Sequence, residues 1–258
     1  MRWIFVAGCG HTGTTITAKV VGLNDAVYGH EEESSFLSPA NSCSIGKAMK
    51  SIRRKARTSQ SQVICEKTPK HIHYIDYARD LLPGSRFVLC TRSPCDTIAS
   101  LAARERQDID RSAIKKGFKR YMLDNIDLIR QMHHPDVILH RYEDFVQDPD
   151  KSVRQLCSHL ELDYDTGMLQ TNASTTRWFN KDGDSNAQRV HGGVSNGQKG
   201  HTSRRSWQVN QAIFDNRGKW RTLLEENQVT YLNRLLDRPL SRWVMNKLGY
   251  SREAFRLE

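Results

Sequence analysis

Short runs of apolar residues alternate with helical patterns along much of this 258-residue chain. The runs at residues 2–7, 86–91 and 136–140 are apolar at consecutive positions and do not alternate with polar residues. Strands of this kind are buried on both faces, which is typical of parallel sheets that helices cover on either side. The pattern therefore predicts an α/β protein with three layers, α/β/α, around a central and mostly parallel sheet.

The remaining elements follow from the same reading of hydrophobic periodicity. Two further short strands are predicted at residues 26–28 and 62–65. Helices are predicted at residues 13–21, 45–57, 71–82, 94–106, 112–132, 150–160 and 227–248. Residues 171–206 are polar and rich in Asn, Gly, Ser and Thr, which predicts a long loop that is flexible or functional. We expect a single domain that spans residues 1–258.

The composition is that of an ordinary globular protein, with 38% hydrophobic and 26% charged residues. No apolar run reaches the roughly 18 residues of a membrane span and no secretory signal precedes the first strand, so we expect a soluble, cytoplasmic protein. The six cysteines form no C-x-x-C pair. They are expected to be reduced core thiols, and no metal site is predicted.

A net charge of +10 gives the chain an excess of basic residues, which cluster at residues 47–57 and 104–120. Such runs are often the solvated faces of helices. They are also compatible with a polyanionic cofactor, an acidic acceptor or nucleic acid. Charge alone does not choose between these interpretations.

A glycine-rich turn joins the first predicted strand to the first predicted helix, with the sequence GCGHTGTT at residues 8–15. Glycines let the backbone approach an anion closely, and the N–H groups at a helix start point toward it. Gly8 and Gly13 have the spacing of a nucleotide-hydrolysing P-loop, but Thr14 stands where that loop has lysine. The turn therefore predicts a phosphate-like ligand and argues against hydrolysis of a magnesium triphosphate.

The same turn resembles the 5′-phosphosulfate loop of sulfotransferases, which often carries Lys or Arg before SGTT. That family transfers a sulfuryl group from 3′-phosphoadenosine 5′-phosphosulfate (PAPS) to a hydroxyl or amine acceptor and releases 3′-phosphoadenosine 5′-phosphate (PAP). The resemblance implies a P-loop NTPase-like fold and chemistry without a metal. It also implies that the phosphosulfate is held by Cys9, Gly10, His11, Thr12, Gly13, Thr14 and Thr15.

Four later stretches resemble motifs of the same family and occur in the expected order. RSPCDTIAS, at residues 92–100, resembles the 3′-phosphate site. EKTPKH, at residues 66–71, resembles a motif that places a lysine at the end of a strand. RYEDFVQDP, at residues 141–149, resembles a motif that places an aromatic ring near the adenine. RGKWR, at residues 217–221, resembles a late G-x-W motif of the family. The residues that these resemblances implicate are Arg92, Ser100, Arg104, Lys67, Tyr142, Arg217, Gly218 and Lys219.

The chain departs from the family pattern at His11, which occupies the place of the loop Lys or Arg. That cation meets the leaving oxygen as negative charge develops. His11 can donate one hydrogen bond when neutral and supplies charge when protonated. Lys67 or Lys70 is the alternative source of the charge.

A carboxylate is expected to take the proton of the acceptor. The stretch YGHEEESSF, at residues 28–36, resembles the family segment that carries this base, and Glu32 falls on the corresponding position. Glu31, Glu33 and His30 are neighbouring alternatives.

The sequence thus predicts a PAPS-dependent sulfotransferase with an unspecified acceptor, which could be an acidic carbohydrate or peptide, and with no nucleic-acid partner. Two other functions remain open. A nucleotide or small-molecule kinase would share the sheet and loop, and a non-catalytic polyanion-binding protein would use the basic runs alone.

Overall fold

The computed structural model describes residues 1–38, 44–105, 108–173 and 210–251. Within these ranges lies a five-stranded sheet with the order β2-β3-β1-β4-β5, in which every pair of neighbouring strands is parallel. The strands are β1 (Arg2–Gly8), β2 (Val27–Gly29), β3 (Val63–Lys67), β4 (Arg86–Thr91) and β5 (Val137–Arg141). The predicted parallel α/β architecture is therefore confirmed.

Helices connect successive strands and follow the last one. They are α1 (Thr14–Gly22), α2 (Ile45–Thr58), α3 (Ile75–Leu81), α4 (Pro94–Glu105), α5 (Arg111–Gln131), α6 (Tyr142–Gln147), α7 (Pro149–Leu160), α8 (Trp220–Leu223), α9 (Glu226–Leu236) and α10 (Pro239–Lys247). Short 3₁₀ turns occur at Pro69–Tyr74 and Thr166–Leu169.

Two hydrophobic layers hold these helices to the sheet. Phe5 and Phe87 stack on one face of the sheet, where the core includes residues of α2 to α5 and of the C-terminal helices. Val6 and Val88 point to the other face, where they pack with apolar residues of α1 and α7. Alternate residues of one strand thus face opposite layers, which explains why the strands are apolar at consecutive positions.

Two helices differ from their predicted bounds, one of them because of proline. The predicted helix at residues 227–248 is two helices, and Arg238, the residue before Pro239, adopts an extended backbone conformation with φ −63° and ψ 145°. A residue before proline is sterically driven out of the helical region. The predicted helix at residues 71–82 begins as the 3₁₀ turn after Thr68, and its α-helical part starts at Ile75.

Other expectations lie partly outside the described residues. The long loop predicted at residues 171–206 falls mainly within 174–209, and the single domain spanning 1–258 stays a prediction. In the ranges that the structure covers, no helix combines the length and apolar character needed to cross a membrane.

The strand order creates a crevice at one edge of the sheet. β1 and β4 are neighbours, but the chain leaves β1 toward β2 on one side and leaves β4 toward β5 on the other. Ligands of open α/β sheets bind outside the carboxyl ends of strands where the connections diverge in this way. The glycine-rich loop after β1 and the segment after β4 meet at that point.

Candidate active site

The glycine-rich loop between β1 and α1 follows a tight path that its residue types permit. Gly8 has φ +140°, and a Cβ atom at this position would lie 2.3 Å from the carbonyl oxygen of Cys90 in β4. His11 also has a positive φ of 71°, a value that few non-glycine residues adopt. The Thr12 hydroxyl donates a hydrogen bond to the Cys9 carbonyl at 2.6 Å, so the loop is tied to itself before α1 begins.

Arg92 follows β4 and carries a buried guanidinium group beside this loop. Its Nη1 donates to the His11 carbonyl at 3.4 Å and its Nη2 donates to the Asn216 carbonyl. Its Cζ atom lies 4.5 Å from the ring centroid of Tyr142. The buried Nε has no hydrogen-bond acceptor among the residues that the structure describes, so one donor of this fixed cation remains for a ligand.

Asp96, one turn into α4, fixes the segment that leads into α8. Its carboxylate accepts hydrogen bonds from the backbone N–H groups of Gly218, at 3.0 Å, and Trp220, at 3.1 Å. It also lies 3.7 Å from Arg92, and both side chains are nearly inaccessible to solvent. Asp96 therefore connects the Arg92 segment to the turn that carries Lys219.

These elements surround a first cavity, which is lined by most of the predicted donor-binding residues. The predicted residues in its lining are His11, Gly13, Thr14, Thr15, Arg92, Ser100, Arg104, Tyr142 and Lys219. The His11 Nδ1 and the Ser100 Oγ lie 2.8 Å apart, so the His11 ring is directed toward α4. Residues far apart in the sequence thus converge on one cleft whose mainly apolar lining also carries several cations.

The other predicted donor-binding residues lie around this cavity. Arg217 is exposed and forms an ion pair with Asp215, at 2.7 Å, instead of lining the cleft. Gly218 donates its N–H to Asp96, as described above. Cys9 and Thr12 are buried beneath the loop, and burial raises the pKa of the Cys9 thiol well above its usual range.

A second cavity, of about 450 Å³, lies on the Gly10 side of the same loop. Its volume falls within the range of small-molecule sites, ~300–1,000 Å³. It is lined by Gly10, Glu33, Ser35, Thr68, Pro69, Lys70, Leu101, Arg104, Lys116, Gly117 and Arg120. Arg104 borders both cavities, so the two spaces meet near the loop.

Glu33 and Lys67 form an ion pair at the edge of the second cavity. The Lys67 Nζ lies 2.6 Å from the Glu33 Oε1, and the Lys67 side chain is fully buried at the end of β3. A cation buried in this way needs a paired anion, because desolvation of an isolated charge is costly. Each partner therefore holds the other in place, with Glu33 partly exposed toward the cavity.

A network around Glu66 sets the conformation of the turn that carries Glu33. The fully buried Glu66 carboxylate accepts hydrogen bonds from the hydroxyls of Ser34 and Thr68, each at 2.6 Å, and lies 2.9 Å from His71 Nδ1. Burial acts to raise the pKa of Glu66, but the charge of His71 and these hydrogen bonds outweigh it and lower the pKa to about 2. Glu66 is therefore a fixed anion that anchors residues 34 and 35.

The predicted base Glu32 lies elsewhere. It is exposed and stands outside the lining of both cavities, as the described residues define them. His30 is buried, and burial lowers the pKa of its ring. Of the adjacent glutamates, Glu33 is the one that borders a cavity beside the loop.

The sequence singled out Arg120 only as the end of the basic run at residues 104–120, and did not predict that α5 brings it against the glycine-rich loop. A Cβ atom on Gly10 would lie 3.0 Å from Nη2 of Arg120, so the guanidinium covers this glycine. The approach depends on Gly117, where an added Cβ would lie 3.0 Å from the Ile98 carbonyl of α4. The one sequence signal of such a close approach is a glycine inside a long amphipathic helix. Arg120 follows Gly117 by almost one helical turn.

Comparison with known proteins identifies the family. Residues 30–166, more than half of the chain, match the model described as the sulfotransferase family. No curated protein sequence matches the chain. Among the solved structures that match at low sequence identity, three illustrate the shared fold.

The sulfotransferase domain from the curacin biosynthetic pathway has a TM-score of 0.65 at 13% identity, over 97% of this chain and 98% of that one. A sulfotransferase from Alicyclobacillus acidocaldarius has a TM-score of 0.58 at 13% identity, over 100% and 99%. A mouse sulfotransferase complexed with PAP has a TM-score of 0.56 at 12% identity, over 95% and 88%. Together with the family match, the fold shows that the chain belongs to the sulfotransferase family, whose enzymes transfer a sulfuryl group to an acceptor.

Proposed function

We propose that this sulfotransferase takes its sulfuryl group from PAPS and transfers it to a hydroxyl acceptor by in-line displacement. The observation that carries the proposal is the first cavity, where the glycine-rich loop, Arg92 and Ser100 converge. The mouse relative of similar fold is complexed with PAP, which supports the same nucleotide here. Membership of an enzyme family weighs against a non-catalytic polyanion binder, and Thr14 in place of the P-loop lysine weighs against a kinase. The cytoplasmic location inferred from the sequence stays a prediction.

The residues of the first cavity fit a donor with two anionic ends. When bound, PAPS supplies the activated sulfuryl group. Backbone N–H groups from Gly10 to Thr15, at the start of α1, would hold its 5′-phosphosulfate. Arg92 and Ser100 would hold its 3′-phosphate, for which the remaining Nε donor of Arg92 is suited.

Three other residues complete this binding site. Arg104 and Lys219 add positive charge at the edges of the cavity. The Tyr142 ring lies between Arg92 and Gly13, since a Cβ atom on Gly13 would be 2.9 Å from its Cδ2. Its hydroxyl donates to the Phe214 carbonyl at 3.2 Å, which orients the ring as a wall for the base.

Arg120 is proposed to supply the loop cation that His11 does not. The His11 ring contacts Ser100 on the first-cavity side, whereas the Arg120 guanidinium lies over Gly10 on the other side. A guanidinium remains charged at every physiological pH. Positioned cations of this kind stabilise the negative charge that develops during transfer.

Glu33 is proposed as the general base, in preference to the Glu32 predicted from the sequence. As the acceptor oxygen forms a bond to sulfur, the bond between sulfur and the 5′-phosphate oxygen breaks and PAP leaves with that electron pair. The acceptor hydroxyl proton passes to the Glu33 carboxylate and then to solvent. Lys67, whose Nζ lies 2.6 Å from the Glu33 Oε1, is proposed to hold this carboxylate in place beside the loop.

Paired substitutions at the two glutamates test this function. With labelled PAPS and a panel of hydroxyl acceptors, Glu33→Gln is expected to lower kcat ~100-fold or more, the range of general-base catalysis. Its affinity for PAP should stay the same, and Glu32→Gln, which removes the same charge one residue away, should change kcat by only a few fold. The opposite result would assign the base to Glu32.

The nucleotide site has an independent test. Arg92→Ala should weaken PAP binding in calorimetry by ~10-fold or more, because a charged contact to phosphate is lost. The wild-type protein should bind PAP more tightly than 5′-AMP, which lacks the 3′-phosphate. Equal affinities for the two nucleotides would contradict the assignment of Arg92 and Ser100.

A further inference from the structure

We propose that the second cavity is the acceptor site and that it selects a saccharide that carries a carboxylate near the reacting hydroxyl. This inference rests on the proposed function, since it names the acceptor class of the same site. Three features of the cavity carry it: its position, its charge and its polar lining.

The position of the cavity suits an in-line acceptor. In an in-line displacement the acceptor approaches the sulfur from the side opposite the leaving 5′-phosphate oxygen, so we expect it on the other side of the loop from the nucleotide. The second cavity reaches the same loop at Gly10, and it borders the first at Arg104. Glu33 lies in its wall, where a carboxylate would meet the acceptor hydroxyl.

The charge of the lining indicates an anionic ligand. Lys70, Arg104, Lys116 and Arg120 contribute four cations, and Glu33 contributes one carboxylate. Glu33 also forms an ion pair with Lys67, which lies behind the wall. The Asp124 Oδ2 lies 3.5 Å from the Arg120 Nε, and Asp124 therefore offsets part of the charge of Arg120.

We assign the four cations to two different roles, two to the donor and two to the acceptor. Arg104 and Arg120 stand next to the loop and the donor, whereas Lys70 and Lys116 come from the 3₁₀ turn after β3 and from α5. Both lysines line the second cavity and neither lines the first. We assign them to the acceptor because of this position.

The lining also favours a hydroxylated acceptor over an aromatic one. Ser35 and Thr68 place hydroxyl groups in the wall, and the described lining includes only Pro69 and Leu101 as larger apolar residues. Sugars present many hydroxyl groups that exchange hydrogen bonds with such a surface, while a phenol or steroid needs apolar walls. A hexuronic acid unit combines the hydroxyls with the required carboxylate.

The test compares three acceptors of one size: a methyl hexuronoside, its uncharged methyl ester, and the neutral methyl hexoside. A tyrosyl peptide flanked by glutamates is the fourth. Transfer from labelled PAPS would be measured for the wild type and for the double variant Lys70→Gln/Lys116→Gln. The matched control is Lys151→Gln/Lys247→Gln, which removes the same charge from exposed helical positions outside both cavities.

The wild type should use the hexuronoside with a kcat/KM ~10–100-fold above that of its methyl ester, as expected for hydrogen bonds to a charged group. The Lys70/Lys116 double variant should reduce this ratio to within ~3-fold of unity, while the control variant keeps it. The wild-type preference should also fall with added salt, because the lysines are partly solvated.

Several results would overturn the inference. These are equal use of the hexuronoside and its ester by the wild type, an unchanged ratio in the Lys70/Lys116 variant, or efficient transfer to the acidic peptide with none to the saccharides. Failure of the proposed function would look different. In that case PAP would not bind and no acceptor would be labelled, whereas PAP binding with unselective transfer refutes the acceptor class alone.

Discussion

Replacement of Asp96 by Asn tests whether one buried carboxylate holds the donor site together. Asp96→Asn keeps the shape of the side chain but removes its charge. The carboxylate accepts from the N–H groups of Gly218 and Trp220 and faces the Arg92 guanidinium. An asparagine amide accepts through its oxygen but must direct its NH₂ group at the second N–H donor or at Arg92.

The magnitude follows from these contacts. One hydrogen bond between a backbone N–H and a charged acceptor is lost, worth ~1.5–3 kcal/mol. Removing one partner of a buried ion pair costs ~3–5 kcal/mol, but Arg92 keeps its two carbonyl acceptors and the Tyr142 ring. We therefore expect Asp96→Asn to lower the free energy of unfolding by about 3 kcal/mol and to weaken PAP binding ~10-fold.

Urea denaturation, followed by tryptophan fluorescence, would measure the change in stability, and calorimetry would measure PAP affinity. The control is Asp80→Asn on the exposed side of α3, which should stay within ~0.5 kcal/mol of the wild type. An Asp96→Asn variant that loses less than ~1 kcal/mol and binds PAP normally would refute the reasoning that Asp96 fixes the Lys219 turn.

Three further substitutions test the sheet and a helix beside it. Gly8→Ala should lower the free energy of unfolding by ~3 kcal/mol or more in urea denaturation, because its Cβ would lie 2.3 Å from the Cys90 carbonyl at φ +140°. Gly46→Ala, with open space around the new methyl group in α2, should instead add ~0.5–1 kcal/mol. Burial lowers the pKa of His140 from 6.5 to about 4, so the unfolded chain binds more protons in this interval and stability falls as pH falls from 6.5 toward 4. That loss should reach ~3 kcal/mol, and His140→Leu should have a flatter stability profile over the same pH range.

The sheet could be predicted from the sequence because its information is local. Residues 86–91 are apolar at consecutive positions, and this alone indicates a strand buried on both faces. The break before Pro239 could not be placed by periodicity, since α9 and α10 continue one apolar pattern across it. There the backbone restriction before proline determined the structure.

The convergence of the candidate site was predictable from the sequence where its residues directly follow strands. The loop after β1 and Arg92 after β4 meet because carboxyl ends of parallel strands share one edge. The side of the turn on which Glu33 lies depends on Glu66 in β3, because Glu66 accepts hydrogen bonds from the neighbouring residue Ser34. The place of Arg120 depends on how closely α5 packs on α4, and such tertiary contacts leave little trace in a single sequence.

The lining of the first cavity has a consequence for how the chain acquires activity. Its residues come from four separate stretches, at 11–16, 92–104, 142–146 and 212–223. The cavity therefore forms from residues that are far apart in the sequence. A chain that ends before residue 212 lacks the last of these stretches, so we expect it to bind PAP more weakly than the full chain. If the proposed nucleotide site is correct, saturating PAP should protect amides throughout the sheet from hydrogen exchange, not only those near the ligand.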